Sequence, residues 1–457
     1  MHRTRTVRSA LALAAAAATA VLLAGCAPGS GHATPASSHP SASVSTDVAS
    51  LGKVTLTVWD QETTPGISDS LDALNKQFEA KYPNVTVDRV VRSGTDLRTT
   101  LKLALSSPNP PDVIQANQGF ADMATYVKGG LLTDLAPYAD AYDWTSRFPS
   151  SQLALDSVTP DGSKLGSGNL YGVSITGEMV GTFYNKSVLD RLGIPVPTSL
   201  EELESDLPKI TAQGVLPIAF GDQDKSPAVH LLGAVLMPQL GQDAAAKLVF
   251  HQAGSFDSPQ VTQAAQLLAG WAKKGYVSSG FNGISSNTAA TTFGKGGAAF
   301  FLGGVWNQDA IQQAGAGASG AGFTVLPAKK GDPLVAMGGI GMGWAIPSGS
   351  KQKDAAAAYI DFISDANAMK VLEGNNQLPA VPTADAASQQ GTLTGDILST
   401  WSQLTKANGL VPYMDWSTPT FYDTIVSNVQ SLMGGKEDSG TFTRALQTDY
   451  SGFTGGN

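Results

Sequence analysis

From residue 52 onward, short runs of alternating or continuous apolar residues take turns with stretches in which apolar residues recur every three or four positions. Val54, Leu56 and Val58 alternate with Thr55 and Thr57, the pattern of a half-buried strand. Leu71, Leu74, Phe78 and Tyr82 fall at helical spacing, with Ser68 in place to cap the helix and Pro83 to stop it. Val85 and Val87 predict a second strand. Leu97, Leu101 and Leu105 predict a second helix that ends before Pro108, and Asp112-Val113-Ile114 opens a third strand. Strand, helix, strand, helix, strand is the order of a parallel sheet with helices on its faces. Such sheets bind ligands at the carboxyl ends of their strands. That rule singles out Asp60-Gln61-Glu62 and Gln115-Ala116-Asn117-Gln118.

The later chain continues in the same style. The pattern predicts strands over 179–184, 216–220, 298–302 and 323–326, the last followed by a polar turn over 328–332. It predicts helices over 187–192, stopped by Gly193, over 200–210 despite Pro208, over 261–274 and over 354–363. Ala264, Ala265, Leu268 and Trp271 form the inward face of the third of these. No fixed-period repeat is present. The class is α/β.

The first 50 residues follow neither pattern. Met1 to Arg8 is basic, an Ala/Leu-rich run extends over 10–23, and Leu23-Ala24-Gly25-Cys26 ends it. A basic region, a short apolar region and small residues before a cut are the layout of a secretory signal. The apolar run is shorter than the roughly 20 residues a spanning helix needs. The Ser/Pro/Ala/Gly segment that follows has almost no large apolar side chain, so the sequence predicts a flexible linker over 26–51. The small-small-Cys ending resembles the lipobox of bacterial lipoproteins. That resemblance implies a signal over 1–25, a cut before Cys26 and a lipid anchor on its thiol.

Composition narrows the chemistry. Cys26 is the one cysteine of 457 residues, so the body holds no disulfide and no thiolate site. Losing Arg3, Arg5 and Arg8 with the signal takes the formal charge from −9 to −12. An acidic body disfavours nucleic acid as a partner. Of five histidines, only His230 and His251 lie in the body, and no His-Glu-x-x-His spacing occurs, so no metal site is read. No Gly-x-Ser-x-Gly elbow or phosphate loop is present. Gly315 to Gly320 matches Gly-x-Gly-x-x-Gly, but a helix end precedes it and a strand follows, the reverse of a dinucleotide fingerprint. No cofactor is read. Glu62, Glu178 and Asp224 keep a secreted glycosidase open as a rival, because paired carboxylates at a set separation perform that reaction.

The aromatic residues sit unusually. Trp306 follows Gly303-Gly304-Val305, Trp344 follows a glycine-rich run from Gly338, and Trp416 lies in Pro412-Tyr413-Met414-Asp415-Trp416. A ring beside glycines can offer its face to the C–H face of a sugar, whose hydroxyls take amide and carboxylate partners.

Taken in order, further stretches carry a family likeness: Val54 to Trp59; Pro111-Asp112-Val113-Ile114; Gly129-Gly130-Leu131-Leu132; Tyr171-Gly172-Val173; Phe183-Tyr184-Asn185-Lys186; Leu192-Gly193-Ile194-Pro195; Phe293-Gly294-Lys295-Gly296-Gly297; Gly303-Gly304-Val305-Trp306; Leu326-Pro327 and Gly338-Gly339. From about Val54 to the C-terminus the chain resembles the bacterial extracellular solute-binding proteins of family 1, which include maltose-binding protein. The resemblance implies a two-lobed periplasmic-binding-protein-like fold joined by a multi-crossing hinge. It places one lobe at 52–175 plus 326–374 and the other at 176–325 plus 375–457.

It also implies a monomer that holds a mono- or oligosaccharide between the lobes and delivers it to the permease of an ABC importer. Its membrane contact is through the lipid only. By the same likeness the ligand-binding residues are Glu62, Asn117, Gln118, Glu178, Asp224, Lys225, Trp306, Gly339, Trp416, Phe421 and Tyr422, with no catalytic residue. The loop after the third strand lacks the tryptophan of the maltose protein, so the sugar need not be maltose. A non-sugar solute such as a glycerophosphodiester is the other binding reading; it would call for Arg, Lys or a helix N-terminus at the cleft.

Overall fold

The alternation of Val54, Leu56 and Val58 becomes the first strand of a computed structural model that describes residues 44–316, 320–383 and 386–453. Cys26, the signal and most of the linker lie outside the described residues. The strands are β1 (Val54–Asp60), β2 (Val85–Val91), β3 (Val113–Ala116), β4 (Ser157–Val158), β5 (Asn169–Leu170), β6 (Gly177–Asn185), β7 (Leu216–Ala219), β8 (Ala298–Gly304), β9 (Ala321–Thr324), β10 (Ala336–Ile340), β11 (Gly343–Ala345) and β12 (Leu410–Val411).

The first sheet has the order β11-β3-β1-β2. Strands β1, β2 and β3 run parallel, with Val54 beside Val85 and Val58 beside Val113, and β11 joins the edge antiparallel. Helices Pro65–Lys81 and Lys353–Ile363 bury Leu71, Leu74, Phe78, Tyr359 and Ile360 with Leu56 and Val58 in one core. Pro65 starts the first helix behind Thr64, so Ser68 lies inside it instead of capping it. The second sheet runs β12-β10-β6-β8-β7, with β9 also paired to β6. All seven β8 residues are buried because both faces are covered. Ala299, Phe300 and Leu302 enter one core with Leu231 and Val235 of the helix Ser226–Leu240, while Ala298 and Phe301 enter another with Phe293.

Among the described residues the chain passes between the sheets three times, near residues 173–177, 341–342 and 375–380. Val173 bridges Trp344, Thr176 bridges Pro379, and Gly177 pairs with Ile340. Because β10 pairs with β6, residues 336–340 belong to the second sheet. The linker also ends earlier than its composition indicates. Val48 is buried at 1% exposure in a short 3-10 turn, Val48–Leu51, whose carbonyl at Val48 accepts from Asn84 Nδ2 at 2.9 Å.

One ion pair fixes the carboxyl end of β1. Arg89 on β2 donates Nε to Asp60 Oδ2 at 2.7 Å and Nη2 to Asp60 Oδ1 at 2.8 Å, and its Nη1 reaches Asp72 at 2.8 Å. Nη1 also donates to Ser68 Oγ at 3.0 Å, and Nη2 to the carbonyl of Glu62 at 3.2 Å. Asp60 is fully buried and its Oδ1 accepts from the backbone N–H of Glu62 at 2.9 Å. The pair therefore sets the path of the chain into the loop that carries Glu62. Replacing Arg89 with Met strands the Asp60 charge, a change that costs about 3–5 kcal/mol. Urea unfolding of Arg89→Met measures it; a loss under about 1 kcal/mol contradicts this role.

Candidate functional site

The loops after β1 and β3 and the start of β6 meet where the chain crosses between sheets. Glu62, two residues beyond β1, accepts Gln115 Nε2 on its Oε1 at 2.7 Å, and Gln115 Oε1 takes the N–H of Gln61 at 2.9 Å. From the second sheet, Glu178 on β6 pairs with Gly339 and accepts Tyr413 Oη on its Oε2 at 2.9 Å. Gly339 has φ +140°, a region natural to glycine, and a Cβ there would lie 2.8 Å from Leu155. A Cβ on Gly341 would meet Glu178 Oε1 at 2.9 Å and Thr176 Oγ1 closer still, so glycine is needed for the crossing to pass beside this carboxylate.

Aromatic rings form one wall. Trp306, in the 3-10 turn Val305–Asn307 after β8, lies edge-on to His230, with ring centroids 4.9 Å apart. His230 lies 6.2 Å from Tyr413, and Tyr413 6.0 Å from Trp416. Trp306 is thereby joined through two rings to the carboxylate of Glu178. It is only partly buried, whereas Trp416 is almost wholly covered because Gly119 of the opposite lobe packs on it.

The lobes also touch at a charged rim. The N–H of Phe120 donates to the Trp416 carbonyl at 3.2 Å. Arg98, on the helix Gly94–Leu105 of the first lobe, stacks its guanidinium 4.0 Å from the Tyr422 ring centroid on the second, and its Nη2 lies 3.3 Å from Asp122 Oδ2. Asn117 Nδ2 donates to the same oxygen at 3.1 Å. Both amide donations of Gln118 are taken, by Asp156 Oδ1 at 2.7 Å and the Gly341 carbonyl at 2.8 Å, so its donors brace the hinge.

Of the residues read from sequence, Glu178 lies beside Gly339, feels the charge of Glu62 and is linked to Trp306 through Tyr413 and His230, while Asn117, Trp416 and Tyr422 lie where the lobes touch. Phe421 is not at the cleft: it is fully buried against Phe256, centroids 4.5 Å apart, in the second-lobe core. Asp224 and Lys225 are exposed, and Asp224 accepts the N–H of Ser286 at 2.7 Å. Their neighbour Asp222 is the buried acid of that loop, held by the Ala228 N–H at 2.7 Å and Gln430 Nε2 at 2.9 Å. Arg98, Gln115, His230, Tyr413 and Asp415 are additional members. Gln115 had a signal in the strand-end rule, and Asp415 and Tyr413 in their place beside Trp416; Arg98 had none. Two concavities outside the cleft, one floored by Thr55, Thr57 and Trp59 and one by Tyr184 and Phe323, contain none of these residues.

Burial dominates the electrostatics. It pushes Glu62 up to about 7, with Gln115 opposing and Asp60 adding to the rise. Glu178 is pushed to about 7 by burial, against the Tyr413 hydrogen bond and with a further rise from Glu62, which couples the two lobes' carboxylates. Burial also raises Asp156 and Asp222 to about 7 and Asp415 to about 6, and lowers His230 to about 4.

These shifts fix a pH dependence. A carboxyl whose folded pKa exceeds its unfolded value holds a proton that the unfolded chain has released, so its contribution to stability is full below about pH 4.5 and is lost as pH rises through about 7. His230 acts oppositely between about 4 and 6.5, one group against five carboxyls. The melting temperature of the ligand-free protein therefore falls between pH 5 and pH 8, and Glu178→Gln flattens the fall. A wild-type melting temperature that rises across this window contradicts the assignment.

The family model described as bacterial extracellular solute-binding protein matches residues 64–370, about two thirds of the chain. A probable sugar-binding periplasmic protein of Rhizobium meliloti is 30% identical over 183 residues, 40% of this chain and 41% of that one. An uncharacterized ABC transporter extracellular-binding protein of Pyrococcus horikoshii is 28% identical over 42% of this chain and 43% of its own length. The aligned stretch thus spans less than half of either relative. A multiple sugar-binding protein of Streptococcus mutans is 23% identical over 70% of this chain and 73% of its own. Among solved structures, a chitin oligosaccharide binding protein superposes with a TM-score of 0.74 at 22% identity, covering 87% of this chain and 98% of that one. The raffinose complex of RafE superposes at 0.67 and 17% identity, covering 88% and 99%. At those identities the likeness shows the fold, two α/β lobes about a cleft. Together with the family match across residues 64–370, it establishes that this chain belongs to the bacterial extracellular solute-binding proteins.

Proposed function

We propose that the protein is the substrate-binding component of an ABC importer and carries a mono- or oligosaccharide in the cleft between its lobes. One observation carries the reading: Glu178 of the second lobe, which feels the charge of Glu62 on the first, is hydrogen-bonded to Tyr413 at the end of a row of rings running through His230 to Trp306. Carboxylates and amides accept and donate to sugar hydroxyls, and the ring face takes the C–H face. The names of the Rhizobium meliloti and Streptococcus mutans relatives, both sugar-binding, support the same class. The protein performs no covalent chemistry in this reading. The arginines near the cleft, Arg89 and Arg98, are already engaged by Asp60, Asp72 and Asp122, which disfavours a phosphate-bearing solute. Closure follows from ligand bridging the two lobes, which favours the state in which both sets of contacts exist.

A thermal-shift screen of the protein lacking residues 1–26 against mono- and oligosaccharides tests the assignment, since a ligand of the folded state raises the melting temperature by mass action. For the sugar that binds, Trp306→Ala loses about 2 kcal/mol, about thirtyfold in dissociation constant. Unchanged calorimetric affinity in Trp306→Ala would remove the stacking role, and no shift with any sugar would remove the class.

The same reading gives the chain a place. The secretory signal over 1–25, the lipid on Cys26 and the linker that precedes the turn at Val48 tether a monomeric body to the outer face of the cell membrane, beside the permease that takes up the sugar. The lobes divide at the three crossings, near 173–177, 341–342 and 375–380. One acyl chain binds membranes only marginally, so the anchor carries more than one. Cys26→Ala sheds the protein into the culture supernatant or leaves it unprocessed, with sugar affinity intact; quantitative retention in the membrane fraction as a processed form argues against the anchor.

A further inference from the structure

Phe453 follows the last helix of the second lobe, Ser439–Gly452, yet its ring packs against a core of the first. Its centroid lies 4.8 Å from that of Phe120. Phe120 is 3% exposed and belongs to the first-lobe cluster of Leu97, Leu101 and Ile114. It is also the residue whose N–H donates to the Trp416 carbonyl of the second lobe at 3.2 Å. The loop after β3 is therefore gripped twice from the opposite lobe, once through its backbone and once through a side chain.

The mount of Phe453 is firm. Residues at the end of a helix fray unless they are tied down. Here the imidazole of His251 stacks on Tyr450, centroids 4.0 Å apart, and meets the Phe453 ring edge-on at 5.5 Å. His251 Nε2 lies 2.8 Å from the Tyr450 carbonyl, and Tyr450 Oη donates to the carbonyl of Leu248 at 3.0 Å. His251 itself sits at φ +60°, in the left-handed region that favours glycine. A side chain in that region persists where its surroundings fix it, and such positions gather at clamps and switches. The neighbouring Phe250 also faces the first lobe: a Cβ on Gly166 would lie 3.8 Å from its ring. None of these residues lies on the three crossings, so the covalent path between the sheets does not hold them together. Burial of ring surface from both sides favours the arrangement in which the lobes meet.

We infer that Phe453 is a latch: its ring, mounted on His251 and Tyr450, holds the lobes together at Phe120 in the absence of solute. The contact enters the equilibrium between parted and joined lobes, so it raises the fraction of ligand-free protein that is already closed. A solute then meets a cleft whose closure is partly supplied by the chain itself.

Hydrogen exchange of the ligand-free protein tests this, resolved to the Phe120 amide by mass spectrometry of fragment ions. That amide is bonded across the lobes, so it exchanges when they part. Phe453→Ala should speed its exchange about tenfold or more, the scale of losing a partly buried aromatic side chain. Phe453→Leu, which keeps an apolar side chain, should restore most of the protection. Amides in the helices Ser226–Leu240 and Pro65–Lys81 should exchange as in the wild type, because the latch joins the lobes and builds neither. Unchanged or slower exchange at Phe120 in Phe453→Ala would overturn the inference. So would an equal loss of protection through Ser226–Leu240, which would make Phe453 a prop of its own lobe. Small-angle scattering gives a second reading: ligand-free Phe453→Ala should have a larger radius of gyration than the wild type, and identical curves would count against the latch. No solute enters either experiment, so their outcome is separate from that of the sugar screen.

Discussion

Every feature of the cleft depends on how the chain leaves one sheet and enters the other, and that passage is held by one buried carboxylate. Asp156, 1% exposed, accepts Gln118 Nε2 at 2.7 Å and lies 2.9 Å from Ser174 Oγ. The same two side chains reach the carbonyl of Gly341, at 2.8 and 2.6 Å. Ser174 is on the first crossing and Gly341 on the second, while Gln118 belongs to the loop after β3. Backbone groups at a crossing leave the sheet ladder and must find other partners when buried. Here the partners are drawn from three separate segments, so the crossings are fixed to each other and to the ligand loop at once.

The position of that junction explains the electrostatics around it. A hinge between two cores is a narrow, covered place, and the residues that follow it, Glu178 on one side and Glu62 on the other, inherit its burial. Arg89 resolves the charge of Asp60 by direct pairing, but it does so inside the first lobe, where it also orders the entry into the Glu62 loop. Glu62 and Glu178 instead have neutral donors, Gln115 and Tyr413.

Much of the first lobe was legible because its strands and helices follow the periods of two and 3.6. The apolar faces at Leu71, Leu74 and Phe78 and at Leu97, Leu101 and Leu105 are the buried ones. The glycine-rich stretch around Gly338 was less so: β10 and β11 are strands, yet glycine has low strand propensity and supplies no alternation to read. The helix Ser226–Leu240 is apolar on nearly every side and so carries no face signal. Its loss mattered, since it delivers His230 to Trp306. Glu62 was proposed from a strand end, and Glu178 and Trp306 from the order of motifs that carries the family likeness. Arg98 was not, because it acquires its role from residues on other segments, Asp122 and Tyr422. Phe421 shows the opposite error: proximity in sequence to Trp416 and Tyr422 gave no information about which way a helical residue turns, and it turns into the core.

That contrast between neighbours in the helix Phe421–Met433 indicates how the rim works. Phe421 anchors the first turn in the second-lobe core beside Phe256 and Tyr450, and Tyr422, one residue on, projects the other way to meet Arg98. The anchored turn holds the Tyr422 ring as a firm platform, while Arg98 sits on a helix of the other lobe. A guanidinium stacked on a ring at 4.0 Å is a contact that exists only when the lobes are together. Together with the N–H of Phe120 on the Trp416 carbonyl, it gives the closed arrangement contacts of its own, independent of any solute. Ligand and rim therefore act on the same equilibrium, and the affinity for a solute includes whatever these lobe-to-lobe contacts contribute to closure.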